Sequence, residues 1–282
     1  MLLAIGQGVA RVCLVAAALC VVLLPGLASA MTSEPASVYV KVDYMQLTDS
    51  TPREYFALEL GEWRPIHEQR IRQGVTTAWY FYEMMPGARK DADQPYDYIT
   101  ISVFDSYDEV IGEGGTEAIF AVYPGVDLGE MYARADEARS FVRSDLWKLT
   151  AVTSPDTDAK PVGPYLLFRF YDSAGGDGCA EAERAIHEAR IAAGEMKGAA
   201  TLRLVNAEDE ERPYGFASVT YFDSLLDLLA PVDAERLLAA YPEMAAADVE
   251  ALLERTAEAH APYKEQVWRL IDAIEGPVED LE

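Results

Sequence analysis

The sequence predicts an α+β protein made of two tandem βαββαβ units, and three observations carry that reading. The first is an internal repeat. Ile66-His67-Glu68-Gln69-Arg70-Ile71-Arg72-Gln73-Gly74 returns 120 residues later as Ile186-His187-Glu188-Ala189-Arg190-Ile191-Ala192-Ala193-Gly194, with six of nine positions identical. Three further matches follow in the same order: Pro95-Tyr96 and Phe104-Asp105-Ser106 with Pro213-Tyr214 and Phe222-Asp223-Ser224, Tyr123-Pro124 with Tyr241-Pro242, and Leu146-Trp147-Lys148-Leu149 with Val267-Trp268-Arg269-Leu270. So long a period is the size of a domain, not of a solenoid repeat. The second observation is a set of short Val- and Tyr-rich segments, four in each half, bounded by turn residues. The third is a helical pattern placed after the first and third of those segments in each half.

The elements justify themselves in order. Residues 38–47 alternate and read as a strand. Thr51-Pro52 then opens a helix, Thr as cap and Pro in the first turn. The helix runs to about Gln73 and stops at Gly74, which tolerates the left-handed turn of a helix terminus. Two aromatic strands follow, 78–84 and 96–104, joined by the polar connection 86–95. Asp105-Ser106 caps helical pieces that reach about residue 142, and 146–152 closes the unit. The second half repeats this with strands at 165–171, 198–205, 216–222 and 266–274, a helix at 181–193, and helices within 224–263. The order βαββαβ is the ferredoxin-like arrangement. Its four-stranded sheet carries helices on one face and leaves the other bare. Two such sheets can bury their bare faces together, so tandem copies predict a pseudo-dimeric α/β barrel within one chain. The boundaries are 38–152 for the first domain, 153–164 for a Pro-, Asp- and Gly-rich linker, 165–275 for the second domain, and 276–282 for an acidic tail.

Residues 1–30 read as a signal peptide. Arg11 is their only charge, 12–24 is apolar and shorter than a membrane span, and Leu27-Ala28-Ser29-Ala30 has a cleavage-site pattern. The expectation is an exported chain, periplasmic or secreted, with no membrane association after cleavage. Cys179 is the one cysteine beyond that segment, which excludes an internal disulfide. The full chain carries a net charge of -25. Such a field repels phosphate backbones and anionic lipid, which disfavours nucleic-acid and membrane-surface roles. No Asp-x-Asp-x-Asp-Gly loop suggests calcium.

A resemblance enters here. Trp63, His67, Arg70, Gly74 and Trp79 at their mutual spacing, with Tyr96-Asp97-Tyr98 and the closing Leu146-Trp147-Lys148-Leu149, resemble the dimeric α/β-barrel superfamily, nearest its NIPSNAP-like and antibiotic-biosynthesis-monooxygenase-like groups. The resemblance spans residues 38–275 and implies the fold. Members include cofactor-free monooxygenases, haem-binding enzymes, isomerases and proteins with no known reaction, so it selects no activity.

The residues themselves offer one candidate site. Trp63, His67 and Arg70 share a face of the first helix at i, i+4 and i+7. Trp79, Tyr80, Tyr82 and Tyr98 are available to wall a pocket between that helix and the sheet. A His there can exchange a proton near neutral pH, and Arg70 can hold a carboxylate or enolate. The bland reading is that His67 and Arg70 only satisfy strand ends. His187 and Arg190 are their second-copy equivalents, whereas Trp63 aligns with Glu183 and Trp79 with Ala199, which points to the first half as the site. His67-Glu68-Gln69-Arg70-Ile71 lacks a second metal-binding His, so no metal is expected. No cofactor is expected either, a haem on a single His being the alternative. Cys179 follows a Gly-rich loop but has no catalytic partner in sequence. The leading expectation is therefore a small-molecule-binding barrel, monomeric because it carries its own mate. The alternatives are a cofactor-independent monooxygenase or isomerase acting on a small aromatic or enolisable substrate, and an interaction module without a pocket.

Overall fold

The computed structural model describes residues 31–33, 37–86, 96–112, 115–155, 162–172, 176–206, 213–232, 234–259 and 262–276. The expected leader, half of the linker (156–161), the acidic tail beyond Gly276 and His260 lie outside those residues. The first half holds strands β1 (Met31–Ser33), β2 (Tyr39–Leu47), β3 (Ala78–Met84), β4 (Tyr98–Phe104) and β5 (Arg139–Ser154). Its helices are α1 (Pro52–Leu58) and α2 (Arg64–Arg72), joined by a π-helical segment Glu59–Trp63, then α3 (Tyr107–Ile111), α4 (Gly115–Val122) and α5 (Leu128–Ala138). The second half holds β6 (Tyr165–Tyr171), α6 (Gly176–Ala192), β7 (Gly198–Asn206), β8 (Phe216–Phe222), α7 (Leu225–Leu229), α8 (Ala234–Ala240), α9 (Ala246–Ala259) and β9 (Lys264–Glu275).

Eight of these strands close an antiparallel barrel. Their order is β5-β2-β4-β3-β9-β6-β8-β7, and β7 pairs back onto β5. Read by half, β5-β2-β4-β3 and β9-β6-β8-β7 follow the same sequence of fourth, first, third and second strand. Two antiparallel seams join the halves, β3 to β9 and β5 to β7. A closed sheet has no free edges, which removes the liability an open edge strand carries.

The two-residue period of a strand decides which side chains fill the barrel. Val42, Tyr44, Tyr80, Tyr82, Ile99, Ile101, Trp147, Phe168, Phe170 and Trp268 turn inward into one aromatic core. Met45, Trp79, Phe81 and Tyr98 turn outward and pack under Tyr55 and Ile71 of the first helical segment. Tyr80 and Tyr82 are therefore on the opposite face from Trp79, inside the barrel, and cannot wall a pocket shared with it.

The local signals explain the ends. Thr51 and Ser106 each make a capping box with the Glu three residues on. Gly74 and Gly194 stand at φ 70° and 72°, ending the same helix in each half. Three features differ from expectation. The π-helical segment interrupts the first helix. β5 begins at Arg139 and not near 146, because its early residues pair with the end of β2 and its later ones with β7. β1 pairs with the end of β5.

Trp147 and Trp268 are each 0 % exposed in the shared core. Truncation of either to Ala should cost about 3–5 kcal/mol in chemical denaturation, whereas Leu226→Ala, at 81 % exposure, should stay within about 0.5 kcal/mol. Because both halves build that core, the wild type should unfold in one transition. Two separable transitions would contradict a shared barrel.

Candidate functional site

The outer face of the first-half sheet is polar at its centre. Lys41 and Asp43 of β2 share the parity of outward-facing Met45, and their register partners on β4 are Ser102 and Thr100. Those two in turn face Trp79 and Phe81 of β3. Ser102 and Thr100 are nearly inaccessible, at 4 % and 7 %. A sheet face beneath a helix is ordinarily apolar, so this strip calls for polar partners. Ser144 donates to Asp43 at 2.6 Å, and Lys41 lies 3.9 Å from the same carboxylate.

The first helical segment lies over that floor. Its π-helical residues contribute Glu59, which is buried, with Oε2 lacking a hydrogen-bond partner. Burial pushes its carboxyl up to about 7, against the opposing pull of Arg139 and Tyr55. His67 stacks on Trp79, with ring centroids 4.7 Å apart and planes 14° from parallel. The stack continues through Phe81 at 6.2 Å to Tyr98 at 5.7 Å, where Tyr55 and Phe56 close in at 4.9 and 5.6 Å. His67 Nδ1 and Trp79 Nε1 are both buried without a hydrogen-bond partner. Burial, reinforced by the nearby Arg70 and Lys41, holds the His67 imidazole well below its usual range, hence neutral. Arg70 is buried at the end of the same helix.

Not all the expected residues meet. His67 and Trp79 touch, and Tyr98 joins them through Phe81. Trp63 turns away and packs against Tyr132 at 5.7 Å, among Ile66, Ile119 and Met131 of the helical layer. Trp63 is the last residue of the π-helical turn and stands just before the regular α2 that carries His67 and Arg70. Beyond Tyr98 lies a cavity of about 440 Å³ lined by Leu47, Pro52, Glu83, Met84, Met85, Pro86, Asp97 and Tyr98. Its volume is in the range of small-molecule sites. Burial beside Glu83 and Asp97 pushes the Tyr98 phenol up to about 12, so it is a hydrogen-bond donor at neutral pH.

The second half answers the same positions differently. Glu183, where the first half has Trp63, accepts from Tyr171 and lies 3.6 Å from Arg169 and 3.9 Å from His187. Arg169 also holds Glu265 at 3.0 Å. Arg190 donates to the Asp227 carbonyl, lies 3.5 Å from Glu195 and sits over the Phe222 ring. The polar groups beneath α6 thus largely satisfy one another. Ala199 replaces the large ring of Trp79.

Comparison with known proteins adds the fold. No protein-family model matches the chain, and no curated protein sequence matches it. A provisionally assigned monooxygenase from Fusobacterium nucleatum superposes with a TM-score of 0.52 at 7 % identity, covering 85 % of this chain and 95 % of that one. The chain shares the α+β barrel architecture of that protein. Weaker likenesses include a heme-binding protein from Thermus thermophilus (TM-score 0.44, 12 % identity, 86 % and 95 % covered) and a chlorite dismutase from Candidatus Nitrospira defluvii (0.43, 12 %, 83 % and 91 %).

One expectation is corrected by these findings. Structures alike in architecture include one described as heme-binding, so the expectation of no cofactor falls. Neutral His67 offers the kind of donor that haem iron takes. Its ring, however, is stacked on Trp79 and its Nδ1 is buried, so the imidazole as folded is packed against the protein's own side chains. Among the described residues, no group of three or more His, Cys, Asp or Glu side chains is placed to hold a metal ion.

Sequence reasoning missed Glu59, whose burial depends on the π-helical segment, and Glu183, which took the place of an aromatic residue in the repeat. Glu59 and His187 carry opposite pH effects. The folded value of Glu59 is raised from 4.5 to about 7, so its contribution is full below about 4.5 and is lost as pH rises through 7. Glu59→Gln should therefore gain thermal stability over wild type progressively between about pH 5 and pH 8. His187 moves the other way. Burial, only partly offset by Glu183, lowers it from 6.5 to about 4, so its contribution is full above about 6.5 and is lost as pH falls through 4. His187→Gln should flatten that acid limb. Melting curves of both variants from pH 4 to pH 8 that run parallel to wild type would refute both assignments.

Proposed function

We propose that the chain is an exported, duplicated α/β barrel that binds a small molecule beneath the first helical segment of its first half. The observation that carries this reading is the trio of buried polar atoms without hydrogen-bond partners there: Glu59 Oε2, His67 Nδ1 and Trp79 Nε1. Folded proteins rarely leave such atoms unsatisfied, and the exceptions deserve an explanation. π-helical segments of this kind recur at functional sites. The aromatic row from Trp79 to Tyr98 supplies a flat apolar wall, and the cavity at Tyr98 supplies an entrance. That combination suits a small aromatic molecule carrying a hydroxyl or carbonyl group. His67, Arg70, Trp79 and Tyr98 are the binding residues, with Glu59 added. Trp63 braces the outer side of the helix.

The cavity and the unsatisfied atoms favour binding over a module with no pocket. The repeated strand order and the collinear sequence matches support duplication of one unit. A chain that closes its own barrel needs no second copy for that purpose, so a monomer is the expected solution state, checked by light scattering of the chain lacking residues 1–30.

The binding reading is tested by titrating 1-naphthol and, separately, hemin while following tryptophan fluorescence. At least one probe should bind the wild type. His67→Ala should weaken that binding by about tenfold or more, equivalent to about 1.4 kcal/mol. His187→Ala should lower the melting temperature and leave the affinity unchanged. Failure of both probes to bind, or binding that His67→Ala leaves intact, would overturn the assignment.

A further inference from the structure

A second group of polar side chains lies on the inward face of the barrel, where neither helices nor the first-half cavity reach. Tyr44 of β2 shares the parity of Val42, and Arg143 and Asp145 of β5 and Lys264 and Gln266 of β9 share that of the core tryptophans on their strands. Tyr96 and Tyr214, equivalent in the two halves, lie among them. The halves exchange partners here. Tyr96 stacks on Trp268 at 6.2 Å and 12°, and Tyr214 stacks on Trp147 at 5.9 Å and 13°. Tyr214 donates to Asp145 at 3.0 Å, and the Tyr96 hydroxyl accepts from Lys264 and, at 2.7 Å, from Gln266.

Arg143 stands at the centre. Its guanidinium lies 4.3 Å from the centroid of Tyr44, 5.4 Å from that of Tyr96 and 5.8 Å from that of Tyr214. Nη2 is 3.3 Å from the Asp145 carboxylate, but Nε and Nη2 make no aligned hydrogen bond. Tyr44 is 0 % exposed, and its hydroxyl has no hydrogen-bond partner. Arg143 keeps 19 % of its side-chain exposure, so the group reaches solvent. A guanidinium with unused donors, held against a buried phenol with an unused hydroxyl, is a receptor for an oxyanion. The stacked Tyr–Trp pairs on either side are buried and wall the group with aromatic rings.

We propose that this end of the barrel interior is a second ligand site, which takes a small carboxylate between Arg143 and the Tyr44 hydroxyl, with contributions from both halves. The carboxylate accepts from Arg143 Nε and from Tyr44, while Asp145 and Tyr214 fix the guanidinium from the other side. This site is separate from the one beneath the first helical segment.

The experiment is calorimetric titration of benzoate at constant ionic strength, with chloride as the balancing anion. The wild type should bind benzoate. Tyr44→Phe removes only the unpartnered hydroxyl, so the unliganded variant should melt at or above the wild-type temperature. Its benzoate affinity should fall by about tenfold, as expected for loss of a hydrogen bond to a charged group. Arg143→Lys keeps the charge but loses the fork, and should weaken binding at least as much. Leu226→Ala, at an exposed position of α7, should bind benzoate as the wild type does. No benzoate binding by wild type, or unchanged affinity in Tyr44→Phe or Arg143→Lys, would overturn the proposal.

Discussion

Closure of the barrel along its two inter-half seams is the constraint on which the rest of the molecule depends. Neither four-stranded sheet has helices on its inner face, and each can bury that face only against the other. The pairings β3–β9 and β5–β7 bring the two together and fix which residues of every strand point inward. Trp147 and Trp268 then stack on tyrosines from the opposite half, so the core belongs to neither half alone. Once the inner parity is set, the outer parity follows. Trp79, Phe81, Tyr98 and the polar strip of Lys41, Asp43, Thr100 and Ser102 must face the helices.

Repetition of one scaffold lets the two helix–sheet interfaces be compared directly. In the second half, an acidic residue on the helix gathers Tyr171, Arg169 and His187 around itself. In the first half the equivalent place holds Trp63, which packs outward, and the acid comes one helical turn earlier at Glu59. Glu59, His67 and Trp79 each retain an atom that the protein does not satisfy. Burying polar groups in this way costs stability unless something pairs with them. The second-half interface is knit together by charged pairs around Glu183, although Arg190 Nε and Ser218 Oγ also lack hydrogen-bond partners there. The shared His and Arg alone would not distinguish them.

Much of the fold was legible because it rests on short-range signals. Capping residues Thr51 and Ser106, terminators Gly74 and Gly194, the alternation of 38–47 and the aromatic run of 78–84 all act locally, and those elements stand where the sequence places them. The extent of β5 was not legible, since its early residues are held by β2 and its later ones by β7 of the other half. The site was half legible. His67 and Trp79 could be paired from helix and strand periods, but Tyr80 and Tyr82 were assigned to the same pocket against the strand alternation. The π-helical segment has no simple sequence signature, and the buried Glu59 that it carries was not singled out. The interior group around Arg143 was invisible, because its members come from strands of both halves and become neighbours only when the barrel closes.

The central claim is that the first-half interface holds polar atoms that the protein leaves unsatisfied. Its most direct measurement is the ionisation of Glu59, followed by the carbon-13 shift of its side-chain carboxyl across a pH titration of the ligand-free protein. A desolvated carboxyl should titrate near 7, as its burial dictates. A midpoint near the ordinary 4.5 would mean that Glu59 is hydrated or fully paired, and would contradict the account.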